Sequence, residues 1–326
     1  MKRKISALIL AYAVLLTNPA AVQAQNYSET DITIGPYALE GRLVVPANAE
    51  NPPVAIFVHG SGQVNFDSAA GAITPFKDIA HGLGNAGIAS VRFNKRFYQH
   101  PPIPPDMTLE TEFLKDVSYA INWAYNHDDL GDIYLIGFSL GGILAPTIAY
   151  RHEEVMGIIS LAGSPRRFSD IIVSQSEMLN YMYAHALGVE LPEGFPIGAL
   201  INLIMTANPE MLMSDNIISR LAHEFGFPIS YLFSLREINT YAVIGDLHIP
   251  MLFLHGSEDL QVSAAYDFAA WYYLLNYRDN VDFILYEGLN HFFTPHVPEL
   301  GYWQTRAPAQ VSVQVINDIA WWINER

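Results

Sequence analysis

Residues 137–142, with the sequence GFSLGG, constrain the fold of this chain more than any other segment. An apolar run at 133–136 precedes them and predicts a buried strand, and the apolar stretch that follows predicts a helix. A strand, a sharp turn and a helix in direct succession hold the serine of a G-x-S-x-G pattern exposed at the edge of a sheet. The turn is so tight that Gly137 and Gly141, two residues either side of Ser139, cannot carry side chains.

The elements around this turn alternate between strands and helices, which is typical of a doubly wound α/β fold with a mostly parallel sheet. Buried strands are predicted at 54–58, 88–93, 133–136, 157–162, 251–255 and 281–286, after two earlier strands within 31–45. Helices are predicted at 74–85, 108–127, 140–152, 264–276 and 308–325. Pro146 lies inside the helix after Ser139, and we expect it to kink that helix or to remove a backbone hydrogen bond.

The alternation stops between residues 165 and 246, a stretch rich in Leu, Met, Ile, Tyr and Phe that predicts several short helices. We interpret 165–246 as a helical insertion that caps an α/β core formed by 25–164 and 247–326. The alternative is a set of ordinary helices that pack on the core and have no role at a site.

The first 24 residues predict a secretory signal peptide. Three basic residues at 2–4 precede an apolar run at 5–16, and Val22-Gln23-Ala24 favours cleavage after Ala24. We therefore expect a periplasmic or secreted protein with no membrane span after cleavage, because the apolar run is short for one. An uncleaved N-terminal anchor is the alternative, and the absence of cysteine excludes a lipoprotein.

Charge and cysteine content exclude several classes of function. Loss of Lys2, Arg3 and Lys4 with the leader leaves 14 of the 17 basic residues against 33 acidic ones, a net charge of −19. Such a surface repels nucleic acids and anionic membranes, so we expect neither as a partner. With no cysteine, disulfides, thiolate nucleophiles and cysteine-ligated metals are impossible. The sequence carries no signal of oligomeric state.

Acyl transfer by a serine requires a nucleophile, a base and a carboxylate that orients the base. Ser139 is the candidate nucleophile. His291 is the candidate base, because it follows the strand at 281–286 and ligand sites form at the C-terminal ends of parallel strands. His296 is the nearest competitor.

Asp259 is the candidate carboxylate, on the loop after the strand at 251–255. A buried carboxylate in that place fixes the tautomer of the base and stabilises its charged form. Glu258 is adjacent, and the alternative role of Asp259 is to cap the helix at 264.

The segment 59–62, HGSG, follows the first buried strand, where donors to an oxyanion belong. An oxyanion needs two backbone N–H groups aimed at it. We assign one to Leu140, directly after the nucleophile, and the other to Ser61, with Gly62 as the alternative. His59 is expected to brace this loop.

With these motifs in place, the chain resembles the α/β-hydrolase superfamily, and most closely its bacterial serine-esterase branch with an HGSG loop, a long helical insertion and a GLNH histidine loop. The resemblance rests on LEG and LVVP at 39–46, HGSG at 59–62, GIA and RFNKR at 87–96, GFSLGG at 137–142, GSEDLQV at 256–262 and GLNH at 288–291. It implies a triad of Ser139, Asp259 and His291 that uses no metal or cofactor.

Two loops depart from the pattern of that branch. Asn94-Lys95-Arg96-Phe97 stands where DKRG is usual, and Gln63 follows the HGSG in place of proline. Both loops are expected to border the site and to influence substrate preference.

The resemblance implies a secreted serine carboxylesterase that acts on small esters. The apolar insertion indicates an acyl pocket lined by Met, Leu and Phe, and we expect it to take short to medium acyl chains. Serine at the elbow argues against haloalkane dehalogenase and epoxide hydrolase chemistry, which uses aspartate there. A peptidase or amidase is the second hypothesis, in which Glu177, Glu190 or Glu193 would hold a free amino terminus. A non-catalytic binding protein with a hydrolase fold is the third.

Overall fold

The structure is a computed structural model that describes residues 25–175 and 228–326, together with Asn180, Thr206 and Asn208. One eight-stranded sheet organises it, in the spatial order β1-β2-β4-β3-β5-β6-β7-β8. The strands are β1 (Tyr27–Ile34), β2 (Leu39–Pro46), β3 (Val54–Val58), β4 (Ala89–Phe93), β5 (Ile133–Phe138), β6 (Val155–Leu161), β7 (Met251–Gly256) and β8 (Val281–Tyr286). Strands β1 and β2 run antiparallel at one edge, and β3 to β8 pair in parallel, which confirms the doubly wound, mostly parallel sheet.

Helices cover both faces of this sheet. They are α1 (Pro75–Asn85), α2 (Arg96–Gln99), α3 (Lys115–Tyr125), α4 (Leu140–Tyr150), α5 (Phe168–Ser174), α6 (Ile229–Arg236), α7 (Thr240–Ile244), α8 (Ala269–Leu275) and α9 (Val313–Asn324). Apolar side chains of α1 and α9, such as Phe76 and Trp322, form the core on one face. Those of α3, α4 and α8 form the core on the other. The buried strands therefore hold their C-terminal loops in fixed positions.

Several boundaries differ from those that the sequence predicts. The last helix begins at Val313 rather than near 308, because the preceding backbone is bonded elsewhere: Val311 donates to Asp78 and Ser312 to the Phe293 carbonyl, at 3.0 and 2.9 Å. The helices predicted at 108–127 and 264–276 each begin with a π-helical turn, at Glu110–Leu114 and Ala264–Phe268. Each π-helical segment is a single turn, too short to change the apolar periodicity of the whole helix, so the pattern could not reveal these turns.

Pro146 lies inside α4, as the sequence shows, and the helix runs through it as one element. The carbonyl left without an intrahelical donor is that of Gly142, four residues earlier. The hydroxyl of Ser160 on β6 donates to that carbonyl at 3.1 Å. The lost backbone bond is thus replaced by a bond from the sheet.

The described ends of the predicted insertion pack on the core. Thr240 of α7 donates to the Ile143 carbonyl of α4 at 3.2 Å, and the Leu109 N–H donates to Ser234 of α6 at 2.9 Å. The middle of the predicted insertion and the predicted signal peptide lie outside the described residues. Across the described residues, no helix has the length and apolar character needed to cross a membrane.

Candidate active site

Ser139 lies at the turn between β5 and α4 in a backbone conformation with φ 54° and ψ −118°. Residues other than glycine rarely adopt positive φ, and such strain is common at functional sites. A Cβ on Gly137 would lie 2.3 Å from the Gly141 carbonyl oxygen, and one on Gly141 would lie 2.2 Å from that of Val58. Both glycines are therefore required for steric reasons, as the sequence predicts.

His291 and Asp259 contact each other, although they come from different loops. His291 Nδ1 lies 2.7 Å from Asp259 Oδ2, and both side chains are buried. Because β7 and β8 are parallel neighbours, their C-terminal loops lie side by side and bring these residues together. The arrangement leaves His291 Nε2 as the nitrogen that can exchange a proton.

The Asp259 carboxylate is held ionised by its surroundings. Its Oδ1 accepts the backbone N–H groups of Gln261 and Val262, each at 2.8 Å. Burial acts to raise the pKa of Asp259, but the charges and hydrogen bonds of His291 and His255 outweigh it and hold that pKa well below its usual range.

His255 is a second histidine beside this carboxylate, which the sequence analysis missed. Its Nε2 donates to the Val262 carbonyl at 2.8 Å and lies 3.4 Å from Asp259 Oδ2. Burial acts to lower the pKa of His255, but the bond and charge of Asp259 exceed that effect and raise it. The spacing of four residues between His255 and Asp259 was the available signal, although the position of His255 on a buried strand end concealed it.

The histidine loop lies beside the elbow of Ser139. The ring of Phe138, the residue before Ser139, is 4.9 Å from the His291 ring and 5.7 Å from that of Phe292. The alternatives make other contacts: Glu258 accepts a hydrogen bond from Ser257 at 3.3 Å, and the His296 backbone N–H donates to the Gly288 carbonyl at 2.9 Å. The structure thus groups Ser139, His291 and Asp259 at one end of the sheet.

The HGSG loop lies on the other side of the elbow. A Cβ on Gly60 would be 3.2 Å from Ser139 Cβ, so the loop backbone passes directly beside the serine. His59 Nε2 donates to the Phe93 carbonyl at 2.6 Å, and its ring stacks on Phe76 at 4.9 Å. Burial lowers the pKa of His59 to about 3, so this ring is neutral and braces the loop.

A buried ion pair behind the HGSG loop is the other feature that sequence reasoning missed. Lys95 Nζ lies 2.8 Å from Glu112 Oε1, and both side chains are almost fully buried. The one signal in the sequence was the departure from the usual HGSGP pattern at Gln63, which donates to Glu112.

A cavity of about 710 Å³ lies between the described ends of the predicted insertion. Its described lining is both polar and apolar and includes Arg167, Phe168, Asn239 and Tyr241. The glutamates proposed to hold an amino terminus, Glu177, Glu190 and Glu193, lie outside the described residues.

One known esterase is similar to this chain along most of its length. The sequence is 28% identical over 305 residues to Esterase EstD of Thermotoga maritima, covering 94% of this chain and 69% of that protein. No protein-family model matches the chain.

Solved structures of low sequence identity share its fold. Est1E from Butyrivibrio proteoclasticus matches with a TM-score of 0.54 at 16% identity, over 90% of this chain and 98% of that one. An esterase from Pyrococcus furiosus matches with a TM-score of 0.53 at 15% identity, over 92% and 90%. The chain therefore has the α/β-hydrolase fold, and along most of its length its sequence is similar to that of an esterase.

Proposed function

We propose that this chain is a serine carboxylesterase that cleaves small carboxylic esters of short to medium acyl chain through an acyl-enzyme. The observation that carries the proposal is the His291–Asp259 pair at 2.7 Å, adjacent to a serine held at positive φ. Similarity to an esterase over most of the chain supports the choice of esters as substrates.

In the proposed mechanism, Ser139 Oγ attacks the ester carbonyl carbon while His291 Nε2 takes the hydroxyl proton. Asp259 fixes the tautomer of His291 and stabilises the imidazolium. The tetrahedral oxyanion is held by the N–H groups of Leu140 and Ser61. The Leu140 amide is the first of α4, so it has no acceptor within the helix and points toward developing negative charge.

Collapse of the tetrahedral intermediate breaks the bond to the alcohol oxygen, which leaves with the proton from His291. A water then attacks the acyl-enzyme, His291 takes its proton, and Ser139 is released with the acid. These steps balance without a metal or a cofactor.

The test is hydrolysis of p-nitrophenyl esters from acetate to dodecanoate by the protein without residues 1–24 and by its Ser139→Ala variant. We expect higher activity on the shorter chains and a loss of roughly 10⁶-fold in the variant, as for other triad nucleophiles. Activity that survives in Ser139→Ala would contradict the proposed nucleophile. A wild type inactive on every ester but active on aminoacyl amides would favour the peptidase hypothesis, and one that also fails to react with a fluorophosphonate probe would favour the non-catalytic hypothesis.

We also propose that residues 1–24 direct export and are removed after Ala24. The basic start, the apolar run and the small residue at the junction support this. Intact mass and N-terminal sequencing of the protein exported by a bacterial host would test it: the expected first residue is Gln25, and an intact Met1 would favour the anchor.

A further inference from the structure

Lys95 holds both ends of the loop that follows β3. Its Nζ donates to the Gly60 carbonyl at 3.1 Å, and its backbone N–H donates to the Val64 carbonyl at 3.3 Å. The Lys95 side chain is only 2% exposed, although lysine is among the residues least often buried. A buried ammonium bonded to a main-chain oxygen beside Ser139 therefore needs an explanation.

Glu112 holds Lys95 in this place. One carboxylate oxygen, Oε1, lies 2.8 Å from Lys95 Nζ and also accepts the Gln63 side-chain amide at 2.6 Å. The Phe113 ring lies beneath the ammonium, 3.9 Å from Nζ. Two residues of the HGSG loop segment, Gly60 and Gln63, are thus tied to one ion pair.

The Lys95–Glu112 ion pair also contacts the predicted insertion. Burial and the negative charge of Glu112 together raise the pKa of the Tyr231 phenol on α6 well above its ordinary value. Hydrogen bonds from Ser230 to the Pro105 and Met107 carbonyls, at 3.0 and 2.7 Å, fix α6 against the loop before Glu112. The pair therefore lies between α6 and the HGSG loop.

Because of the geometry of a peptide unit, the bond from Lys95 to the Gly60 carbonyl also affects the Ser61 N–H. The Gly60 carbonyl and the Ser61 N–H belong to one planar trans peptide, so they point in opposite directions. An ammonium that fixes the carbonyl on one side fixes the direction of the N–H on the other. Its charge also polarises the peptide and makes the N–H a stronger donor.

We propose that Lys95 is a positioning residue that aims and strengthens the Ser61 N–H as an oxyanion donor, with Glu112 holding Lys95 and Gln63 in place. This inference rests on the proposed esterase function. It gives a role to one departure from the usual loop patterns, because Gln63, which stands in place of proline, donates to Glu112.

The test compares two double variants that each replace a buried ion pair with apolar side chains. Lys95→Met/Glu112→Leu removes the proposed clamp without leaving a lone buried charge. Arg96→Met/Asp116→Leu is the matched control, because Arg96 directly follows Lys95 and donates to Asp116 in a similarly buried pair. The described contacts of Arg96 do not include Gly60.

Two measurements distinguish a positioning role of Lys95 from a purely structural one. The first is kcat and KM on p-nitrophenyl acetate, and the second is the inhibition constant of an aryl trifluoromethyl ketone, whose serine adduct carries an oxyanion. For Lys95→Met/Glu112→Leu we expect kcat to fall about 10- to 100-fold, somewhat less than the loss of a whole oxyanion donor. Affinity for the ketone should fall in parallel while KM stays within about threefold, because the ground-state ester makes little use of the donor.

The control should keep kcat and ketone affinity within about threefold of wild type at temperatures well below its unfolding midpoint. Equal losses in the two double variants, or wild-type kcat in Lys95→Met/Glu112→Leu, would overturn the inference. If that variant does not fold, Gln63→Met replaces it in the test, because it removes the hydrogen bond between the loop and Glu112 at a partly exposed position. We expect kcat and ketone affinity to fall together, by a smaller factor than in the double variant. Unchanged kcat in Gln63→Met would then overturn it. Failure of the esterase proposal itself is distinct, because it would be seen as an inactive wild type.

Discussion

Two histidine loops lie on opposite sides of Ser139, and they place similar side chains in different electrostatic surroundings. His59 and His291 are both buried, at 3% and 5% exposure, and both follow a strand of the sheet. His59 bonds to a neutral backbone carbonyl, whereas His291 bonds to the ionised carboxylate of Asp259. A neutral acceptor cannot offset the cost of burying an imidazolium, but a carboxylate can. Burial alone therefore does not distinguish a bracing histidine from a proton carrier; the acceptor does.

The largest effect is expected from replacing the proposed proton carrier. His291→Ala should lower kcat/KM for p-nitrophenyl acetate by about 10⁵- to 10⁶-fold, because it removes the proposed acceptor of the serine proton. The measurement is steady-state hydrolysis with the Ser139→Ala variant as the baseline. A loss below about 100-fold would mean that another base serves Ser139, and the contrast between the two loops would fail.

Asp259→Asn removes the charge from the carboxylate that distinguishes the loops. The amide can orient His291 in the wrong tautomer, so we expect kcat to fall by roughly 10⁴-fold with little change in KM. The pH dependence of kcat should be recorded beside it. Activity within about tenfold of wild type would show that the 2.7 Å contact is only structural.

His59→Asn tests the bracing histidine. Its ring bonds to Phe93 and stacks on Phe76, so the variant should lose about 1–3 kcal/mol of unfolding free energy. Its kcat should stay within about tenfold of wild type, since the HGSG loop keeps its hydrogen bonds with Lys95 and Glu112. Urea unfolding and ester hydrolysis measure the two quantities. A catalytic loss as large as that of His291→Ala, with stability intact, would reverse the assignment.

The remaining effect is a change of that stability difference with pH. The pKa of His59 falls from 6.5 to about 3 on folding, so between these values the unfolded chain binds a proton that the folded chain does not. Stability from the neutral ring is therefore present near pH 7 and lost as pH falls, by at most about 1.4 kcal/mol per pH unit.

Urea unfolding of wild type and His59→Asn between pH 7 and 4.5 isolates the contribution of His59 to the free energy of unfolding. His255 has a raised pKa and acts with the opposite sign, and Asp259 loses its contribution only as pH falls below its ordinary value of 3.8. Both groups are common to the two proteins, so they cancel in the difference. The advantage of wild type should shrink as pH falls, and a constant difference would contradict a neutral His59.

The parts of the site that follow short-range rules could be predicted from the sequence. Gly137 is required by its contact with the Gly141 carbonyl inside the turn, and the positions of Asp259 and His291 follow from the strands that precede them. The sheet could also be predicted, because it follows from the alternation of strands and helices along the chain. Boundaries such as the start of α9 depended on bonds to distant residues and could not be predicted.

The support behind the HGSG loop could not be predicted because its contacts are long-range. Gln63 and Glu112 are 49 residues apart, and nothing in either local sequence specifies the other. His255 was hidden for a different reason, since a histidine at the end of a buried strand has the same pattern whether or not a carboxylate lies beside it.

The bond from Ser160 to Gly142 has a consequence for the motions of the elbow. Residues 140–146 of α4 are all buried, and the carbonyl that Pro146 leaves free is fastened to β6. The first turns of the helix therefore cannot fray into solvent without opening the sheet beneath them. In hydrogen-exchange terms, the hydrogen-bonded amides of α4 from Ile143 onward should exchange only through the global opening of the domain. The positive φ of Ser139 would then be maintained for as long as the sheet stays folded.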